Sequence, residues 1–238
     1  MWGRKNYRKR RLIGLILFVA AGALLAGTNY GGVEDIAQNN SAPKVQETTD
    51  TSRLARSALN ELPAKGRAAK TGYNRENFSD GWGELAGCGM RDVILNRDLR
   101  DVQINIECQV VSGVLNDPYT GKQIVFKRGP ESSQMVQIDH VVALSNAWQT
   151  GAQQLPQVRR YAFSNDPLNL LAVDGETNNQ KGSSDAASWL PPHKPFRCQY
   201  VARQIAVKQR YNLWVTPAEK QAMEKVLSQP ECSNQTLP

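Results

Sequence analysis

Residues 136–144, VQIDHVVAL, set an aspartate and a histidine side by side at the centre of an apolar run. Unpaired charge is costly in an apolar setting, so Asp139 and His140 must meet partners or lie where a buried element reaches the surface. No other stretch restricts the fold as closely. The chain has only two histidines, and His140 is one of them. The other, His193, lies in the Pro-rich stretch LPPHKP and reads as a surface residue.

Apolar spacing organises the chain on either side. SRLARSALNEL places Leu54, Ala58 and Leu62 at helical spacing and is stopped by Pro63. CGMRDVILNRDL does the same with Met90, Val93, Ile94 and Arg97. The period then changes. VQINIECQVVSGVL alternates through Val102, Ile104, Ile106 and Cys108, a strand signal. NDPYTG is a turn and KQIVFKR resumes as a strand, so a hairpin is expected. MVQI reads as a further strand ending at Asp139, VVALSNAWQTGA as a helix ending at Gly151, and PQVRRYAF as a second helix. LNLLAV is a short apolar strand, followed by Asp174 as an N-cap and a short helix in GETNNQKG. QYVARQIAVKQRY and TPAEKQAMEKVL, the latter with Pro217 in its first turn, close the chain as helices.

Polar positions recur in this order with definite spacing. Asn169 opens the second apolar strand, Asn178 follows nine residues later, and Lys181 lies three beyond, on the same face of the short helix. Asn179 falls about a quarter-turn or more away and is the poorer match to that face. DH followed by NLLAVDGETNNQK resembles the HNH, or His-Me-finger (ββα-metal), endonuclease family. That pattern has Asp-His or His-His at the end of a first strand, a central Asn, and a metal-binding His or Asn nine residues on. A Lys or Arg often follows on the same helix. NDPYTG, AWQTGA, NDPLNLLAV and WLPP are further similar to exported bacterial HNH-type proteins. The paired C-x-x-C zinc clamps of many HNH modules are missing. The resemblance, strongest over 136–184, implies an α+β fold: a ββα-metal core with an added β-hairpin and flanking helices.

Chemistry accounts for the residue types. Phosphodiester hydrolysis needs an activated water, neutralisation of developing charge, and help for the leaving oxygen. A histidine of unperturbed pKa about 6.5 can be neutral at neutral pH and take the proton from water, the role expected of His140. A hard divalent ion takes oxygen ligands, and Asp139 with Asn178 resembles the family's metal-binding pair. So sparse a set favours Mg²⁺ or Mn²⁺ over zinc. The resemblance gives Asn169 the task of tying down the loop that carries His140. Lys181 is expected to meet a phosphate. Arg91, Arg159 and Arg160 are further candidates for a phosphate groove. Ser145 lies near His140, but there is no G-x-S-x-G to support a serine nucleophile.

Bulk charge adds little. The formal net charge is +7, yet six of the 29 basic residues (Arg4, Lys5, Arg8, Lys9, Arg10, Arg11) lie in the first 30 positions, which hold no acid. The remaining 23 against 22 acids leave +1. That basic cluster precedes LIGLILFVAAGALLAG, read as a signal peptide or an N-terminal membrane anchor over 1–27. A polar linker over 28–50 and an HNH-like domain over 51–238 follow. Either leader exports the rest, and an even cysteine count then favours two disulfides. Cys88, Cys108, Cys198 and Cys232 allow three connectivities, of which Cys88–Cys108 and Cys198–Cys232 close local loops. The expectation is a metal-dependent nuclease of the bacterial cell exterior, secreted or outward-facing on the membrane. It would act on DNA and/or RNA with little sequence preference and no obligate protein partner. The competing class is a non-catalytic envelope or partner-binding protein that keeps the fold.

Overall fold

Asn105 folds the backbone back before the alternation through 102–108 can become a single strand. Its Oδ1 accepts from the amides of Glu107 (3.0 Å) and Gln109 (2.8 Å), a side-chain turn that competes with ladder bonding. Ile106 is left fully exposed, and Cys108 takes a φ of 61°. The expected strand is thus two strands, and the expected hairpin is a three-stranded antiparallel sheet.

The computed structural model describes residues 53–130 and 132–238. The leader or anchor expected over 1–27, the linker over 28–50 and residues 51–52 lie outside them. The described residues belong to one compact unit. In chain order the elements are α1 (Ala55–Glu61), β1 (Glu84–Leu85), β2 (Cys88–Gly89), α2 (Met90–Asp98), β3 (Leu99–Ile104), β4 (Val110–Asn116) and β5 (Gln123–Lys127). Next come α3 (Ser132–Met135), β6 (Val136–His140), α4 (Leu144–Gln149), α5 (Gln157–Ser164) and β7 (Leu170–Asp174). The chain closes with α6 (Gly175–Lys181), α7 (Arg197–Arg210) and α8 (Pro217–Leu227). Helices beside small antiparallel sheets make this an α+β fold. Among the described residues, no helix is long and apolar enough to cross a membrane.

Strands β6 and β7 pair antiparallel, with Val136 opposite Asp174 and His140 opposite Leu170. Both read apolar along their length because both faces of the pair are covered. Val136, Ile138, Leu170 and Ala172 pack with Ile94 and Leu95 of α2 and with Leu115 and Phe126 of the three-stranded sheet. Leu171, Val173 and the adjoining Val141 pack with Val201 and Ile205 of α7 and Met223 of α8. Strand side chains alternate between faces, so one short pair serves two cores. Each fully buried side chain of this size stabilises the fold by about 1.5–3 kcal/mol.

Helix α6 starts directly from β7. Asp174 caps it, accepting from the Thr177 amide at 2.8 Å. Gly175 admits no side chain, because a Cβ there would lie 2.0 Å from the Gln134 carbonyl oxygen. The helix is thereby held against the entry to β6. Helix α8 opens with a capping box between Thr216 and Glu219. Disulfides join Cys88 to Cys108 and Cys198 to Cys232, and no free cysteine remains among the described residues.

Candidate active site

The β6–β7–α6 unit forms one wall of an open cleft of about 480 Å³. Gln137, Ile138, Asp139 and His140 from β6 line it, with Ala143, Leu144 and Ser145 beyond and Asn178 and Asn179 on α6.

His140 is buried, and its Nε2 lies 2.9 Å from the carbonyl oxygen of Ser164, the last residue of α5. A carbonyl oxygen carries no hydrogen and can only accept, and at a helix end it is free for an outside donor. Nε2 therefore carries the proton, and the lone pair is on Nδ1. Burial is the largest influence on this imidazole and holds its pKa down to about 4, against the opposing pull of the Ser164 carbonyl and Asp139. Arg75 and Lys181 push in the same direction as burial. The ring is neutral at neutral pH. The Trp82 indole stacks on it, with centroids 5.8 Å apart and planes 9° from parallel.

Asp139 is buried and held from two sides. Tyr119 donates its hydroxyl to Oδ2 at 2.5 Å, and Lys181 Nζ donates to Oδ1 at 2.9 Å. Burial, followed by the neighbouring carboxylate, raises the Tyr119 pKa well above its ordinary value, so this hydroxyl stays protonated. Lys181 is fully buried and makes a second bond to the His140 carbonyl at 2.9 Å. It does not face the cleft, contrary to the phosphate contact expected for it. The i, i+3 spacing put Lys181 on the right face of α6, but its long side chain runs inward to neutralise Asp139.

Asn169 is fully buried just before β7, and both ends of its amide are used on the turn after His140. Its Oδ1 accepts from the Val142 amide at 2.9 Å, and its Nδ2 donates to the Val142 carbonyl at 3.3 Å. Its own carbonyl accepts from the Val141 amide at 2.8 Å. Asn178 donates its Nδ2 to Gln137 Oε1 at 2.9 Å, which leaves Asn178 Oδ1 without a donor among the described residues. Asn179, expected to lie off that face, lines the cleft too. Ser145 Oγ is buried on the same wall and has no hydrogen-bond partner among the described residues.

Both groups that the resemblance pairs for a divalent ion keep acceptor capacity. The Asp139 carboxylate has lone pairs beyond the two in use, and Asn178 Oδ1 is open. Among the described residues there is no cluster of three or more His, Cys, Asp or Glu side chains that could hold a metal.

Much of the remaining lining was missed by sequence reasoning: Tyr73, Arg75, Trp82 and Arg91 belong to it. Of these, only Arg91 was among the phosphate-groove candidates. Arg91 also donates to the Val136 carbonyl at the start of β6. Arg159 stacks over Tyr211 and Arg160 over Trp148, and neither lines the cleft. Trp82 sits in the sequence Gly-Trp-Gly, the one local signal that could have drawn notice.

Comparison with known proteins agrees with this architecture. Residues 90–226 match the family described as GmrSD restriction endonucleases, C-terminal domain, which spans the whole β6–β7–α6 wall. A protein of Arthroderma benhamiae described as an uncharacterized secreted protein is 37% identical over 177 residues, 73% of this chain and 83% of that one. No solved structure matches. The chain is a member of the GmrSD restriction endonuclease C-terminal domain family, an HNH-type, nuclease-related family.

Proposed function

We propose that the protein is an exported, metal-dependent nuclease that hydrolyses nucleic-acid phosphodiester bonds with little sequence preference. The observation that carries the reading is the His140 tautomer: Nε2 is committed to the Ser164 carbonyl, so Nδ1 is a lone-pair base beside a cleft. His140 takes the proton from the attacking water at Nδ1. The resulting imidazolium is stabilised through its Nε2–H by the Ser164 carbonyl and by the charge of Asp139. Asn169 holds the turn after His140 and so fixes the approach of the ring. Asp139 and Asn178 would hold the divalent ion, with Lys181 and Tyr119 setting the orientation and net charge of Asp139. When bound, that ion supplies neutralisation of the scissile phosphate and the departing oxygen. Arg75, which lines the same cleft, offers its guanidinium to a phosphate. Export is supported by the two disulfides, by the basic-apolar N-terminus, and by the secreted relative.

One observation favours a second reading. Lys181 already neutralises Asp139, which weakens that carboxylate's pull on a cation and suits a binding protein that keeps the fold without catalysis. Incubation of the purified protein with DNA and with RNA, in Mg²⁺ and in excess chelator, decides between them. Cleavage that chelation stops and that His140→Ala lowers by about a hundredfold or more is the expected result. Intact nucleic acid in Mg²⁺ and in Mn²⁺ gives the second reading.

A further inference from the structure

Trp82 has no part in the proton transfer, yet the fold goes to some length to place it. Its ring covers His140 with one face, and 38% of the residue remains exposed at the cleft. The loop that carries it is fixed. Gly81 takes a φ of 87°, open to glycine, and a Cβ on Gly83 would lie 2.5 Å from Tyr161 Oη. The Gly83 amide donates to Asn165 Oδ1 at 2.7 Å, and its carbonyl accepts from the Met90 amide at 2.7 Å. Cys88–Cys108 then staples the following ribbon. Aromatic and basic groups share the lining: Lys70 lies 5.4 Å from the Tyr73 ring centroid, and Tyr73, Arg75, Trp82 and Arg91 line the cleft. Tyr161, 46% exposed, stands beside Gly83. A pre-fixed ring loses little freedom on stacking, and every nucleobase has a π-face to offer it. Bases in an intact duplex have both faces occupied by their neighbours, so only an unpaired base can use the outer face of the indole.

We propose that Trp82 is a stacking platform for an unpaired nucleobase next to the scissile phosphate, so that the cleft takes single-stranded nucleic acid in preference to intact duplex. This rests on the nuclease reading of the cleft. The test measures binding of a labelled single-stranded oligonucleotide and of its duplex in excess chelator, for the wild type, Trp82→Phe and Trp82→Ala. Cleavage of both substrates in Mg²⁺ is measured alongside. Trp82→Ala is expected to weaken single-strand binding about tenfold, with Trp82→Phe between it and wild type and duplex binding little changed. Equal weakening on both substrates, or none on either, overturns the inference. So does a variant that binds normally but cleaves both substrates equally slowly, because Trp82 would then only brace His140, and the nuclease reading would stand. A wild type that cleaves nothing but keeps Trp82-dependent single-strand binding removes the nuclease reading and retains the platform. Should Trp82→Ala fail to fold, Trp82→Phe carries the comparison.

Discussion

Removing the ammonium of Lys181 would leave the Asp139 carboxylate charged, enclosed and bonded only to Tyr119. Breaking one partner of a buried pair typically costs about 3–5 kcal/mol. Lys181→Met is therefore expected to lower the unfolding free energy by that order in urea titration; a variant as stable as wild type would deny the pair its structural role. His140 gives a pH dependence. Its folded pKa of about 4 lies below the ordinary 6.5, so between those values the unfolded chain binds more protons than the native one. The contribution of His140 to stability is full above about pH 6.5 and is lost as pH drops toward 4, by at most about 1.4 kcal/mol per pH unit. Chelated wild type and His140→Gln compared by denaturant titration from neutral to acid pH should show a steeper fall between about pH 6.5 and 4 in wild type. For turnover, His140→Ala is expected to lose about 10²–10⁴-fold and not to recover at high Mg²⁺ or Mn²⁺. Asn178→Ala should recover in part, because added ion can offset a missing oxygen ligand. Rates against metal concentration check both. The spacing of Asp139, His140, Asn169 and Asn178 was legible in the sequence, and the fold gathers them around one turn and one cleft. The direction of Lys181 was not. Periodicity gives the face of a helix, while the reach of a four-carbon side chain toward a buried charge is a tertiary matter.

The short strands β6 and β7 and the Asp174 cap of α6 could be read from apolar runs and local capping chemistry. Strand β3 could not be bounded that way, because the alternation through Ile106 is interrupted by the Asn105 turn and its apolar residues meet solvent. The rest of the cleft lining was beyond reach for another reason. It comes from residues 73–91, with little regular structure and partners more than seventy positions away, such as Asn165 for Gly83. The two disulfides separate these contributions. Closing 20- and 34-residue intervals stabilises by about 3 and 4 kcal/mol in the chain-entropy account. Replacing Cys198 and Cys232 by Ser should lower the melting temperature while leaving activity intact below it. Replacing Cys88 and Cys108 should lower both, because that bond fixes the Trp82 wall. Melting curves and cleavage rates well below either midpoint distinguish the two, and equal activities in both double variants would contradict the assignment.

Beyond the first 30 residues, charge is nearly balanced at 23 basic against 22 acidic residues. Nucleic acid is then met by a local stripe and not by a wide basic surface. The logarithm of affinity should fall with the logarithm of salt at about −0.7 per phosphate contact on single strands, and the total slope should correspond to only a few contacts. A slope of many contacts, or cleavage confined to one short recognition sequence, would contradict this. The β6–β7 pair has a further consequence. It is the common partition between two cores, one face closed by α2 and the three-stranded sheet and the other by α7 and α8. Neither compartment can loosen without moving the strand that ends in His140. Heat should therefore abolish the proposed activity and melt the protein in a single event, with no folded but inactive form in between.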